Sequence, residues 1–520
     1  MPTTRLGTTA AAAPVGGPTS GSRTLRRMAI DPRTPVVIGV GQFLNRVDQG
    51  AEPQSPHELM VEALRRAEAD AGAPGAAARA EVVAAVPVIS WRYRDPARLV
   101  AEAVGADRAA TWYPTVGGNT PQLLVNKLAG AISAGDVDLG VVVGGEAYRT
   151  RMDARRNDRP LDWPKQDESV DPSWNDGQPF LMGHPAEQAR GIFMPTQAYP
   201  LFENALWHES GRTLEQHLAH VGRIWSGFSQ VAAANPYAWR REAYTADEIT
   251  TPTPENRLVG FPYTKRMVSN PDVDMSSAVI VCSADRAAAL GVPKDRWVFV
   301  HAGTDGKDRS MSERRDFVSS PAIGTAGNLA LELADVRVEE LGHLDLYSCF
   351  PSAVQLAVKE LGVDDTLPLT VYGGLGFAGG PWNNPVGHAI ASMVDVLRDD
   401  AGSVGLVTAN GGHVDKHSFG VYSTTPPADG FRHAAPQDQI DAVPGTGVEE
   451  DYQGPATVET WTVMYGRDRA PERAHAAVRT PAGTRAWAVS DDAELMARAA
   501  SDDLVGTEVS VGADGAMTFV

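Results

Sequence analysis

Three short stretches carry residue types able to do chemistry. In LYSCFPSAVQ, Tyr347 and Cys349 stand just ahead of a proline that opens a helix; GGPWNNPVGHAIASM holds His388; and NGGHVDKHSFG sets His413 directly after the pair Gly411 and Gly412. Histidine exchanges protons near neutral pH, and a tyrosine does so as acid or base where its surroundings lower its pKa. His413, Asp415 and His417 recur at every second residue, which puts their side chains on one face of an extended segment. No third cluster of ligands accompanies them, so no metal is expected. Cys349 is tempting as a nucleophile, but its place beside Phe350 at a strand end suits a buried, inert thiol better.

The elements that must hold these residues follow a strand, glycine, helix rhythm. TPVVIGVGQ reads as a strand, and SPHELMVEALRRAEADAG as a helix with Ser55 as N-cap, Pro56 at its first position and Glu58 closing a capping box. EVVAAVPVISW is another strand and PARLVAEAVG another helix, while TPQLLVNKLAGAISAGDVDLGVVVGGE is an apolar helix running into a buried strand. Apolar strands alternating with helices predict a mostly parallel sheet covered on both faces. Residues 147–265 break the rhythm with Trp, Pro, Asn and charged residues around helical stretches such as TLEQHLAHVGRIWSGFSQVAAANPY, as expected of a large insertion. The rhythm resumes at MSSAVIVCSADRAAALGV and runs through RWVFVHAGT, LDLYSCF, PSAVQLAVKELGV, NPVGHAIASMVDVLRDD and GSVGLVTA. The second half echoes the first: in each, a strand yields to a short loop and then a proline, Pro121 or Pro351, opens an apolar helix. This predicts an internal duplication. Residues 425–445, rich in Pro, Gly and Asp, read as a linker, and residues 446–520 alternate as a small β-rich domain.

Composition narrows the function classes. At 520 residues and 43% hydrophobic content the chain is globular, and its net charge of −19 argues against nucleic acid and against a basic membrane-binding surface as partners. No window approaches the roughly 20 apolar residues of a membrane span. Cys282 and Cys349 alone cannot make a disulfide framework, which fits a reducing cytoplasm. Residues 1–33 are expected to be a disordered tail; because Met28 stands just ahead of the first strand, an upstream-extended start is the preferred reading over a transit peptide.

Together these segments resemble the thiolase superfamily, in particular its sterol-carrier-type and thiolase-like branch. Glycine-flanked loops near 117, 347, 380 and 410 within duplicated halves carry the likeness over about residues 34–424, and the C-terminal β-rich region resembles the additional domain of type-1 thiolase-like proteins. The resemblance implies an α/β, duplicated thiolase fold, layered α-β-α-β-α. Residues 34–146 and 266–424 would be the halves, 147–265 the inserted loop domain, and 446–520 the appendage.

The family's chemical groups do not carry over. The nucleophilic Cys position, set by Gln122 in TVGGNTPQ, holds Gly117, followed by Gly118 and Asn119. The Asn or His of the next motif matches Tyr347, and the Gly-His-Pro motif reads Gly379, Gly380, Pro381. The last motif, Cys-x-Gly, becomes Thr408, Ala409, Asn410, Gly411, Gly412, so the second Cys position holds Thr408. A thiolase works through a thiolate favoured by a helix N-terminus, and neither Gly nor Thr replaces it. The MGHP stretch at 182–185 matches the missing motif only by coincidence, because it lies in the insertion.

What the resemblance implies is a protein that binds an acyl-CoA or CoA, an acyltransferase of the acetyl-CoA acetyltransferase kind by fold but without the Cys, His and Cys set. If it is active, Tyr347, His388 and His413 are the candidate catalytic groups, with Gly118, Asn119, Cys349, Gly379, Asn410, Gly411 and Gly412 lining the ligand or an oxyanion site. The alternatives are a retro-aldol lyase acting on a CoA thioester through Tyr347 and a non-catalytic acyl-CoA-binding or partner protein. No cofactor is implied beyond the coenzyme A thioester itself. The arginine-rich residues 149–159 would either meet its phosphates or form a solvated loop, and monomer or homodimer stays open.

Overall fold

A computed structural model describes residues 30–175 and 182–520; the tail reading, up to position 29, falls outside the described residues. The first half of the sheet takes strands β1 (Pro35–Leu44), β2 (Val82–Ala85), β3 (Ala110–Tyr113), β4 (Leu139–Ala147) and also β5 (Asp274–Ser283), which lies within residues 266–424, the stretch read above as the second half. The second supplies β6 (Val298–Lys307), β7 (His343–Asp345), β8 (Val404–Gly411) and β9 (Lys416–Ser423). All nine lie in one large sheet, in the order β7-β8-β9-β6-β1-β5-β4-β2-β3. Counted outward from the centre, the first half runs first, fifth, fourth, second, third strand and the second half first, fourth, third, second, so in both the last strand lies beside the first and the duplication read in the sequence is visible as a mirrored order. The halves meet where β1 and β6 pair antiparallel at Val36 with Phe299 and Val37 with Val298.

The expectation of a mostly parallel sheet is corrected. β2 pairs parallel with β3 and β4, and β7 with β8, but β5 runs antiparallel to β1 and β4, and β9 antiparallel to β6 and β8. Continuous apolar runs report burial on both faces, which β4 and β5 have along their whole length, but they carry no information on direction. Direction is set by the connections: the short turn from β8 to β9 has no room for a crossover, so the returning strand must run antiparallel.

Helices α1 (Pro56–Ala71), α2 (Thr120–Ala134), α3 (Pro195–Ser210), α4 (Leu214–Ala234), α5 (Pro351–Leu361) and α6 (Pro385–Asp399) position the loops discussed below. The predicted start of α1 holds, with the Glu58 carboxylate accepting from the Ser55 amide at 2.8 Å and from its hydroxyl at 2.7 Å. Helices α3 and α4 belong to the insertion, and α4 starts at Thr213, whose hydroxyl accepts from the Gln216 amide.

The C-terminal strands β10 (Gly454–Tyr465), β11 (Pro471–Arg479), β12 (Arg485–Ser490), β13 (Glu508–Val511) and β14 (Met517–Phe519) form a second, antiparallel sheet in the order β12-β11-β10-β13-β14. The insertion joins it through Gly260, opposite Met464. Arg485, fully buried, ties this sheet to the 311–315 loop: its guanidinium pairs with Glu459 and donates to the carbonyls of Met311, Ser312 and Arg314. Burying that charge is tolerable because every face of it meets an acceptor or the ring of Phe317. Among the described residues no helix is long and apolar enough to cross a membrane.

Candidate functional site

Four loops at strand ends meet in one cleft of about 160 Å³. They are the approach to α2 (Gly117, Gly118), the segment after β7 (Tyr347, Cys349, Phe350), the approach to α6 (Gly380, Trp382, Asn383) and the end of β8 (Asn410, Gly411, Gly412). The insertion closes the cleft with Met182, Met194, Pro195, Thr196 and Tyr199, and Ser269 and Pro271 follow just after it. Crevices at the carboxyl ends of strands are the usual ligand sites of such sheets.

The paired glycines after β8 are explained by loop crossing. A Cβ on Gly411 would stand 3.0 Å from the Gly118 amide nitrogen and 2.9 Å from Asn119 Oδ1, and one on Gly118 would stand 2.2 Å from the Tyr347 hydroxyl oxygen and 2.5 Å from the Asn410 carbonyl. The two loops pass back to back only because neither carries a side chain there. At Gly380, a Cβ would lie 2.0 Å from Ser269 Oγ, so the serine occupies the space in which a histidine of the Gly-His-Pro motif would begin.

Tyr347 lies on the cleft wall, 8% exposed, its amide donating to Thr408 Oγ1 at 2.9 Å. Burial, with the Cys349 thiol beside it, holds its phenol well above the ordinary tyrosine range. The condition set for base chemistry, a lowered pKa, is not met: Tyr347 keeps its proton at neutral pH, which suits a hydrogen-bond donor better than a phenolate base. Its hydroxyl makes no hydrogen bond to another described residue. Cys349 also lines the cleft, but burial pushes its thiol up to about 12, so it is not a thiolate nucleophile at neutral pH.

The other candidates separate. His388 is fully buried on α6, its Nδ1 facing Gln42 Oε1 at 2.8 Å and its ring stacked on Tyr372 at 5.7 Å; it does not line the cleft. Burial lowers its pKa to about 3, so it stays neutral. His413 is buried behind the glycine turn, with Nδ1 3.6 Å from the Glu187 carboxylate, and is likewise not a wall residue. Burial would raise the Glu187 pKa, but His413, Ser312 and His184 together hold it below the ordinary range. His417 turns instead to the Val414 carbonyl and Asp308, and Asp415 accepts from the His413 amide. Thr408 braces the Tyr347 backbone rather than facing the cleft. The residue that β8 presents there is Asn410, two positions nearer the strand end.

Tyr199 and Trp382 are among the wall residues not read from the sequence. Tyr199, on α3, stacks on Phe350 with ring centroids 4.4 Å apart; its hydroxyl donates to the Gly412 carbonyl at 3.2 Å and accepts from Asn410 Nδ2 at 3.0 Å. Trp382 holds its indole N–H buried without a partner among the described residues. In FMPTQAYPLF, Tyr199 reads as one more core residue of an apolar helix; its only signal is that a buried phenol needs a hydrogen-bond partner.

Beside the cleft runs a basic groove of about 470 Å³, lined by Arg46, Arg149, Arg240, Arg241 and Trp239 with acidic residues such as Asp272. Ser269 and Pro271 line the cleft while Asn270 and Asp272 line the groove, so one segment borders both. Of the residues 149–159 only Arg149 reaches the groove, where it pairs with Asp272 at 2.9 Å; Arg151 donates to the Ile89 carbonyl and Arg159 pairs with Asp153. The Arg46 guanidinium lies 4.4 Å over the Trp239 ring. Arg240 is half-buried, and its guanidinium makes no hydrogen bond or ion pair to a described residue; burial lowers its pKa.

Residues 436–516 match the family model of the thiolase-like protein type 1 additional C-terminal domain. The chain is similar to the crystal structure of a monomeric SCP2-thiolase-like protein type 1 from Mycobacterium smegmatis, at 30% identity and a TM-score of 0.80, over 95% of this chain and 100% of that one. Two further structures share the fold: an Ltp2-ChsH2(DUF35) aldolase, at 19% identity and TM-score 0.58 over 76% of this chain and 98% of that one, and an acetyl-CoA acetyltransferase from Syntrophomonas wolfei, at 16% and 0.52 over 76% and 100%. Among curated proteins, an acetyl-CoA acetyltransferase of Methanothermobacter thermautotrophicus is 26% identical over 234 residues; the match spans 42% of this chain and 58% of that protein.

Proposed function

Because the chain belongs to the family of SCP2-thiolase-like proteins of type 1, we propose that its cleft holds the acyl end of a coenzyme A thioester without attacking it covalently. One observation carries this reading: Gly117, Gly118, Tyr347, Gly380 and Asn410 converge on a single cleft, and the one thiol among the described residues lining it, Cys349, is held protonated by burial. Tyr347 donates its one hydrogen bond to an oxygen of the acyl end, the role its protonated hydroxyl suits. The phosphates of the coenzyme lie toward Arg240, Arg241 and Arg46, whose guanidinium groups suit phosphate oxygens. Acyl transfer of the thiolase kind is then absent, since the thiol that would carry the acyl group is missing from position 117.

Calorimetric titration of the full chain with CoA and acetyl-CoA, followed by intact mass measurement, tests the reading. Binding with unchanged protein mass is expected. An acylated protein would overturn the non-covalent reading, and no heat with either ligand would overturn the ligand class.

A second reading is favoured by the unpartnered Tyr347 hydroxyl: cleavage of the C2–C3 bond of a 3-hydroxyacyl thioester. The C3 hydroxyl would lose its proton, the bond electrons would pass into a thioester enolate, and protonation at C2 would complete it. That reading needs a base for the hydroxyl proton, and the described side chains lining the cleft include none. Chain-shortened thioester formed by the wild type but not by Tyr347→Phe would establish it over the binding reading.

A further inference from the structure

The cleft leaves polar groups unmatched where the acyl end of a ligand would lie. Asn410 is 4% exposed, and its Nδ2 donates to the Tyr199 hydroxyl at 3.0 Å. That hydroxyl has one proton, which goes to the Gly412 carbonyl at 3.2 Å, so toward Asn410 it acts only as an acceptor. The amide is thereby fixed with its NH2 toward Tyr199, and its Oδ1 is left buried with no hydrogen-bond partner. Pairing of Asn410 with His417 across β8 and β9 holds the backbone in place, so the side chain is not displaced by a slip of the strand. An acceptor buried without a donor lowers stability and is retained where something else completes it.

The Tyr347 hydroxyl supplies the opposite deficiency, a donor with no acceptor among the described residues. Its oxygen and the backbone carbonyl oxygen of Asn410 lie 2.2 and 2.5 Å from one point beside Gly118, and both residues line the cleft, so the two are neighbours on one wall. A ligand hydroxyl satisfies both, donating to Asn410 Oδ1 and accepting from Tyr347. A keto oxygen only accepts, and would set its lone pairs against Oδ1. A methylene group satisfies neither.

We propose that Asn410 makes the cleft selective for thioesters with a hydroxyl on the acyl chain, over 3-oxoacyl and unsubstituted ones. The proposal rests on the CoA-thioester reading above and sets apart the substrate class of this chain from the 3-oxo compounds a thiol-bearing cleft cleaves.

The test compares 3-hydroxybutyryl-CoA, acetoacetyl-CoA and butyryl-CoA by calorimetry on the full-length wild type, then on Asn410→Leu and the conservative Asn410→Asp. A site built around a ligand hydroxyl rejects analogues that lack it by about tenfold or more. The wild type is expected to bind 3-hydroxybutyryl-CoA that much more tightly than the other two, Asn410→Leu to lose the preference, and Asn410→Asp, which keeps an acceptor, to retain it. Equal binding of all three by the wild type overturns the selectivity and leaves the thioester reading standing. Binding of none overturns both. The wild-type comparison decides the matter even if Asn410→Leu fails to fold.

Discussion

The Tyr199 hydroxyl and the Asn410 amide meet at 3.0 Å, joining a helix of the insertion to the last strand of the second half's parallel pair. Through this bond and the one to the Gly412 carbonyl, the insertion holds the glycine turn and sets the orientation of the Asn410 amide.

Tyr199→Phe removes both bonds while keeping the ring on Phe350. It leaves the Gly412 carbonyl and Asn410 Nδ2 unpaired, so urea unfolding should show a loss of about 1–3 kcal/mol. A loss within experimental error would mean that water replaces the phenol.

Restoring a thiol should not restore thiolase chemistry. A Cβ at position 117 would stand 2.4 Å from Asn119 Oδ1, so Gly117→Cys must displace that side chain, at a cost of roughly 1–3 kcal/mol. The histidine position is also empty, at Gly380. Incubation of Gly117→Cys with acetyl-CoA is expected to give no acylated protein by intact mass; a stoichiometric adduct would show that the cleft still activates a thiol.

His388→Ala should lower stability without touching ligand binding. The imidazole is fully buried against Gln42 and Tyr372, so truncation leaves a cavity and costs about 2–4 kcal/mol. Affinity for CoA, measured on the folded variant, should stay within about twofold, a shift well under 1 kcal/mol. A tenfold loss would place His388 in the site after all.

Asp345 should give the stability a marked pH dependence. Burial raises its pKa to about 6, although the Thr370 hydroxyl and the Val371 and Tyr372 amides, all bonded to Oδ2, pull the other way. In the unfolded chain the value returns to about 4. Between those limits the folded state binds the extra proton, so this residue's contribution falls as pH rises from about 4 through 6 and is level above, by up to roughly 3 kcal/mol. Asp345→Asn, which keeps an oxygen for the three donors, should flatten that slope in denaturation curves taken across the window; an unchanged slope would assign it to other carboxylates.

Arg240 should matter for the coenzyme's phosphates. Arg240→Gln is expected to weaken CoA binding about tenfold at low salt and less at high salt, since exposed charge interactions are screened. Equal affinity in both proteins would move the phosphates away from the groove.

The sequence by itself determined the frame and the losses. Proline-opened helices after short loops, and glycines at 117, 380 and 411, are local signals, and the absence of a thiol at Gly117 or Thr408 needs no structure to see. Only the tertiary structure decided which side chains face the cleft. Alternation along β8 gives Thr408 and Asn410 the same face, but the loop packed against that face decides that Thr408 braces Tyr347 and Asn410 reaches the ligand space. Tyr199 comes from a segment some 150–210 positions away from its partners, a distance no motif spans. The protonation of Tyr347, Cys349 and His388 follows from burial, and burial is a property of everything packed around a residue rather than of the residue itself.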